Sequence, residues 1–163
     1  MKISEIQSGS VFIDTNILIY AYTSTRYTPA CEELLDKIRN GQVTGYVNST
    51  VIDELFHKVL LMDVYTRNGL HPAEAVAFLK QNPYKIAEFE LPFTITQEIL
   101  TDSSLIVLDT SVVLDEALSQ SRRHGLLFSD ALHAACCVHY AINYLATNDR
   151  DFSRVDSISI ISP

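Results

Sequence analysis

The stretch Val11-Phe12-Ile13-Asp14-Thr15-Asn16-Ile17-Leu18 decides the architecture. Three bulky apolar residues in a row read as a short buried strand, and the Asp-Thr-Asn that follows contains residue types that favour strand ends and helix caps. A helix should therefore start from about Ile17. Downstream the same alternation recurs. Pro29 opens a helix carrying Cys31, Leu34, Leu35 and Ile38 at helical spacing until Asn40-Gly41 stops it. Gly45-Tyr46-Val47 is a second strand, and Ser49 is placed to cap a helix whose apolar face runs from Val51 to about Tyr65, ended by Asn68-Gly69. From His71 to Ser104, Pro72 and the spacing of Ala75, Val76 and Leu79 predict a helix to Gln81. The prolines at 83 and 92 then break the pattern into helical-hairpin material. Leu105 to Leu108 reads as a buried strand, Ser111 opens a helix ended by Gly125, and Ser129 caps another running to Tyr140. Asn143 to Thr147 and Ile158 to Ile161 are the last strands. Strands separated by helices imply right-handed crossovers and a mainly parallel sheet covered on both faces.

With 163 residues, 47% apolar and only 5 Gly and 5 Pro, the chain is read as one domain, 1–163, with a helical insertion around 67–104. Collagen-like, disordered and disulfide-stapled classes are excluded. The 12 Lys and Arg against 20 Asp and Glu leave a formal charge of −8, so no broad cationic surface exists and any nucleic-acid contact must be local. Three cysteines, with Cys136 and Cys137 adjacent, offer neither a disulfide framework nor a zinc pair, which fits a reducing cytoplasm. No stretch reads as an export signal or a membrane span.

In open parallel sheets, sites form beyond the carboxyl ends of strands. Asp14 and Asp149 stand there, each after an apolar run, where a buried charge is costly unless something cationic offsets it. Helix capping accounts for either one alone. Asp130 falls in the first turn of the Ser129 helix, where the macrodipole favours an ionised carboxylate. Glu54 follows the second strand, with Lys58 four residues on in the orientation of a modest surface ion pair.

Four blocks, Val11 to Leu18, Ser49-Thr50-Val51-Ile52-Asp53-Glu54-Leu55, Ser129-Asp130-Ala131-Leu132-His133-Ala134-Ala135 and Leu145-Ala146-Thr147-Asn148-Asp149-Arg150-Asp151-Phe152, resemble the signature blocks of PIN-domain ribonucleases, with the nearest likeness to VapC-like toxins. The resemblance extends from about residue 11 to 161. It implies a three-layer α/β/α sandwich around a four- or five-stranded, mainly parallel sheet, and an acidic metal pocket that cuts single-stranded or loop RNA. It places the catalytic and metal-holding carboxylates at Asp14, Glu54, Asp130 and Asp149. Asn16 and Thr147 brace the site, and Asp151 is a lesser candidate. A small antitoxin partner and a homodimer are also implied.

Four crowded carboxylates resist ionising together without divalent cations, and one or two Mg²⁺ or Mn²⁺ ions suit such ligands. Metal-assisted in-line attack of water on phosphorus would leave 5′-phosphate and 3′-hydroxyl ends. Arg150 and Lys58 are candidate phosphate contacts, as are Arg154 and the Arg122-Arg123 pair, and Tyr20, Tyr22 and Tyr27 could stack on bases. The segment around 67–104 is longer than in compact toxin members, and its composition is unusual for a crossover.

Other readings make distinct demands. A non-catalytic RNA- or protein-binding module of the same fold would hold no metal. An aspartyl-nucleophile phosphatase expects an acid two residues after Asp14, where Asn16 stands. A di-iron bundle, suggested by the Glu54–His57 and Asp130–His133 spacings, needs four helices instead of buried strands. His57 is expected on a solvated face, and His133 and His139 in core or boundary packing. The paired cysteines are expected to be small buried side chains.

Overall fold

The computed structural model describes all 163 residues. Its five strands, β1 (Ser10–Ile13), β2 (Thr44–Asn48), β3 (Leu105–Leu108), β4 (Tyr144–Ala146) and β5 (Ser159–Ile161), form one sheet in the order β3-β2-β1-β4-β5. Every pairing is parallel. The first strand is central because it can be: Val11, Phe12 and Ile13 are all fully buried, as a strand covered on both faces requires. Two helix pairs supply the cover. Helices α1 (Thr15–Ala21) and α2 (Thr28–Arg39) join β1 to β2, and α6 (Leu114–His124) and α7 (Phe128–His139) join β3 to β4. Because these crossovers run in opposite directions along the sheet, right-handedness puts the pairs on opposite faces. The result is the expected three-layer α/β/α arrangement, with five strands and no antiparallel member.

The chain divides into two compact units, residues 1–51 with 103–163, and residues 52–102. The second is wholly helical, built from most of α3 (Ser49–Asn68), α4 (Pro72–Gln81), a 3₁₀ segment at Pro83–Glu88, and α5 (Glu90–Thr101). It has its own apolar cluster of Leu60, Val64, Ala75, Leu79 and Phe89. The unit thus begins inside α3 and not near residue 67, because α3 contributes Leu60 and Val64 to that cluster. Pro83 opens the 3₁₀ segment, and Pro92 sits in the first turn of α5, where a missing N–H breaks no helical bond.

Several local expectations shift. Ser49 and Ser129 lie within the first turns of α3 and α7 and cap neither. Fully buried Asn48 takes the first role, its Oδ1 accepting from Val51 N at 3.0 Å. Asp14 precedes α1, which starts at Thr15, two residues before the expected Ile17. β3 is an edge strand with Ile106 and Val107 exposed, so its apolar run did not mean burial throughout. Gly125 ends α6 in the left-handed conformation, φ 63°. No helix is long and apolar enough to cross a membrane.

Candidate active site

From β1 the chain turns one way along the sheet, to β2, and from β4 the other way, to β5. The crevice beyond their carboxyl ends is therefore the topological switch point of the fold. Asp14 and Thr147 are the first residues past those ends, and the strands are held together there by Asp14 N donating to Ala146 O at 3.0 Å. Thr147, itself buried, donates its hydroxyl to Asp14 Oδ2 at 2.6 Å and accepts from Asp149 N at 3.0 Å. Asn16 Nδ2 donates to the same Asp14 oxygen and to Thr147 Oγ1 at 3.2 Å. Asn148 N in turn donates to Asn16 Oδ1 at 3.1 Å. Residues 131 or more positions apart in sequence thereby share one polar network, in which Asn16 and Thr147 both donate to Asp14.

The Asp14 side chain is unusual in its company. It is only 6% exposed, yet no lysine, arginine or histidine pairs with it, and both of its side-chain hydrogen bonds come from neutral donors onto Oδ2. Oδ1 keeps its lone pairs for another partner. Burying a carboxylate without a cation is costly, so this position suits a hard cation. Asp149, exposed, is tied to it through Thr147, with its Oδ1 accepting from Asp151 N at 2.8 Å. Two carboxylates, with water completing the shell, are a donor set that Mg²⁺ accepts.

Two further candidate carboxylates lie on helices. Asp130 is half-buried in the first turn of α7. Glu54 lies on α3 in the second unit, and Lys58 Nζ stands 3.2 Å from its Oε2, the ion pair the spacing suggested. No group of three or more His, Cys, Asp or Glu side chains is gathered closely enough to hold a metal ion. Asp151 pairs with Arg154, whose Nη1 also donates to Gly125 O at 2.8 Å, so Arg154 is occupied with the end of α6. Arg150 is exposed and lines a shallow surface depression with Thr147, Asn148, Asp149 and Ser153. Arg122 and Arg123 are exposed at the end of α6.

His133 is fully buried against Phe12, its Nδ1 3.2 Å from Asn48 Nδ2. His57 is exposed as expected; His139 is exposed too, since its place in the last turn of α7 carries it past the core. All three cysteines are buried free thiols, and burial pushes Cys31 up to about 12 and Cys137 further. Asn16 donates to Asp14 where a phosphatase would need a general acid, which weakens that alternative. Sequence reasoning missed Asn48 and Asn148. The available signal was an asparagine at or near the carboxyl end of an apolar strand.

The chain is similar to several known proteins. Ribonuclease VapC2 of Methanocaldococcus jannaschii is 28% identical over 164 residues, covering 99% of both chains. Among solved structures, Mycobacterium tuberculosis VapC20, a sarcin-ricin loop cleaving toxin, superposes with a TM-score of 0.58 at 16% identity, covering 90% of this chain and 95% of that one. A toxin-antitoxin complex from Klebsiella pneumoniae gives 0.53 at 13% identity, with 91% and 94% covered. The family model for the PIN domain matches residues 11–158, and with a parallel sheet that sets Asp14 and Asp149 at its switch point, the chain belongs to the PIN domain family.

Proposed function

We propose that this protein is a metal-dependent ribonuclease that hydrolyses phosphodiester bonds in single-stranded or loop RNA, as the toxin of a toxin–antitoxin pair. The observation that carries this reading is the buried Asp14 carboxylate, without a cationic partner, tied through Thr147 to the segment bearing Asp149. Support comes from relatives of nearly equal length that are named ribonucleases and toxins.

Asp14 and Asp149 would hold Mg²⁺ or Mn²⁺. Thr147 and Asn16 restrain the Asp14 carboxylate by donating to Oδ2, and Oδ1 would be the oxygen offered to the ion. Arg150, exposed next to Asp149, is placed to meet an RNA phosphate and offset the local negative charge. A bound divalent ion supplies an activated water and charge compensation on the departing oxygen. Asp130 and Glu54 are the further carboxylates of this reading. Two ions would halve the formal charge of −8, which would make an acidic chain compatible with a polyanionic substrate.

The test is cleavage of structured and unstructured RNA in Mg²⁺, Mn²⁺ or chelator by the natural protein and by Asp14→Asn. Loss of at least a hundredfold in the variant, with an unchanged circular dichroism spectrum, is expected; chelator-resistant cutting, or full activity in Asp14→Asn, rejects the mechanism. Glu54→Gln and Asp130→Asn should each lower cleavage at least tenfold.

The second reading is a non-catalytic PIN module that binds RNA or protein, with Asp14 held by the neutral donors Asn16 and Thr147 alone. Calorimetric titration with Mg²⁺ separates the two, since heat of binding that vanishes in Asp14→Asn belongs to the nuclease. A small antitoxin as partner and a homodimer complete the proposal; co-expression with the neighbouring reading frame and light scattering check them.

A further inference from the structure

The elbow between α1 and α2 carries two tyrosines and an arginine that the chemistry above leaves unused. Tyr20 and Tyr27 are half-buried, with ring centroids 4.9 Å apart and planes tilted by 38°. The Arg26 guanidinium lies 4.7 Å from the centre of the Tyr27 ring and donates to its hydroxyl. Hydrogen bonding from Arg26, and then from Asn148, holds the Tyr27 phenol below its ordinary pKa.

This group is joined to the acidic crevice by a single residue. Asn148 donates from its side chain to Tyr20 Oη at 3.2 Å and from its backbone to Asn16 Oδ1 at 3.1 Å, and Asn16 in turn donates to Asp14. The elbow is also preorganised, since the Thr28 hydroxyl donates to the carbonyls of Tyr20 and Thr23 and accepts from Thr25 N at 2.9 Å. Aromatic faces beside a guanidinium are the combination that binds single-stranded nucleic acid, with rings taking bases and the cation taking phosphate. On a chain with a formal charge of −8 such a cation matters more, because the crevice to which Asn148 links Tyr20 is acidic and would otherwise repel the strand.

We propose that Tyr20, Tyr27 and Arg26 form a nucleotide-binding platform, in which a base adjoining the scissile phosphate stacks on the tyrosines and Arg26 holds a flanking phosphate. The proposal rests on the ribonuclease reading of the crevice and names the subsite that positions its substrate. These are binding residues and touch no reacting atom.

The test is fluorescence titration of a labelled single-stranded RNA, and of the same strand with abasic positions, into full-length protein in chelator. Variants are made in the Asp14→Asn background, and each is checked by thermal melting. Tyr27→Leu should weaken binding of the intact strand about tenfold and leave the abasic strand unchanged. Tyr27→Phe should restore binding. Arg26→Gln, at an exposed position, should weaken both strands and lower the salt dependence of binding by about one counterion. In a cleaving background Tyr27→Leu should raise KM with little change in kcat. Equal binding by Tyr27→Leu and the parent, or no binding of either strand, overturns the platform. RNA bound with this signature but never cut by the natural protein would instead remove the ribonuclease reading and leave the platform standing.

Discussion

Thr147 carries more of the site than its neutral side chain suggests. Its hydroxyl is both a donor to Asp14 and an acceptor for Asp149 N, and Thr147 and Asp14 are themselves buried. Thr147→Val keeps the shape but removes a donor from a buried carboxylate, so we predict a loss of about 1–3 kcal/mol in urea denaturation and a drop in RNA cleavage of at least tenfold. Thr147→Ser should recover most of both. The thiols make a separate prediction. Desolvation raises Cys31 to about 12, and it raises Cys136 and Cys137 as well, so the native protein should resist thiol reagents until it unfolds. A pKa higher in the folded than in the unfolded state means the folded protein binds the proton more tightly. The associated stability is therefore complete below the unfolded value near 8.5 and is lost as pH rises towards the folded one, by at most about 1.4 kcal/mol per pH unit for each thiol. Cys31→Val should flatten the decline between pH 9 and 12, measured by thermal melting.

At the scale of elements, helix ends decide where the polar groups point. Asn48 caps α3 with its oxygen and meets His133 and Cys136 with its amide, so one buried side chain links β2, α3 and α7. Asn48→Ala should cost about 1–3 kcal/mol from the lost cap and the unmet buried partners. The end of α6 is a backbone matter. A methyl group at Gly125 would meet Arg154 Nη1 no closer than 3.4 Å, but φ is +63°, so Gly125→Ala should cost about 1–2 kcal/mol through conformation alone. The pattern of apolar residues was enough to locate β1, α2, α4 and β4 within a residue or two. It misjudged β3, because an apolar run reports hydrophobicity and not whether a neighbouring strand or helix lies on each side of it.

For the whole molecule, the division into two units has an energetic meaning. Residues 52–102 close on their own cluster, to which Leu60 and Val64 of α3 contribute. Leu60→Ala should therefore cost about 2–4 kcal/mol and lose hydrogen-exchange protection first within 52–102, with protection in β1 and β4 retained. Uniform loss of protection across the chain would contradict that division. The site network lies in the other unit and draws on β1 and β4, so its carboxylates should keep their geometry in this variant, with hydrogen exchange at Asp14 and Thr147 unchanged.

The linear order of residues was sufficient for the alternation of strands and helices, for the identity of the strand-end carboxylates, and for the ion pair of Glu54 with Lys58, because all of these are local in the chain. Spacing shows itself in the sequence whenever partners are a few residues apart. It could not show that Thr147 would bridge Asp14 and Asp149, that Asn148 would reach Tyr20, or that Asn48 would replace Ser49 as a cap. Those contacts come from the placing of β4 beside β1 and of α7 over β2. Only folding chooses strand neighbours, because the free energy that selects them is the burial of whole apolar faces, and the polar groups at the strand ends are carried to one another as a consequence.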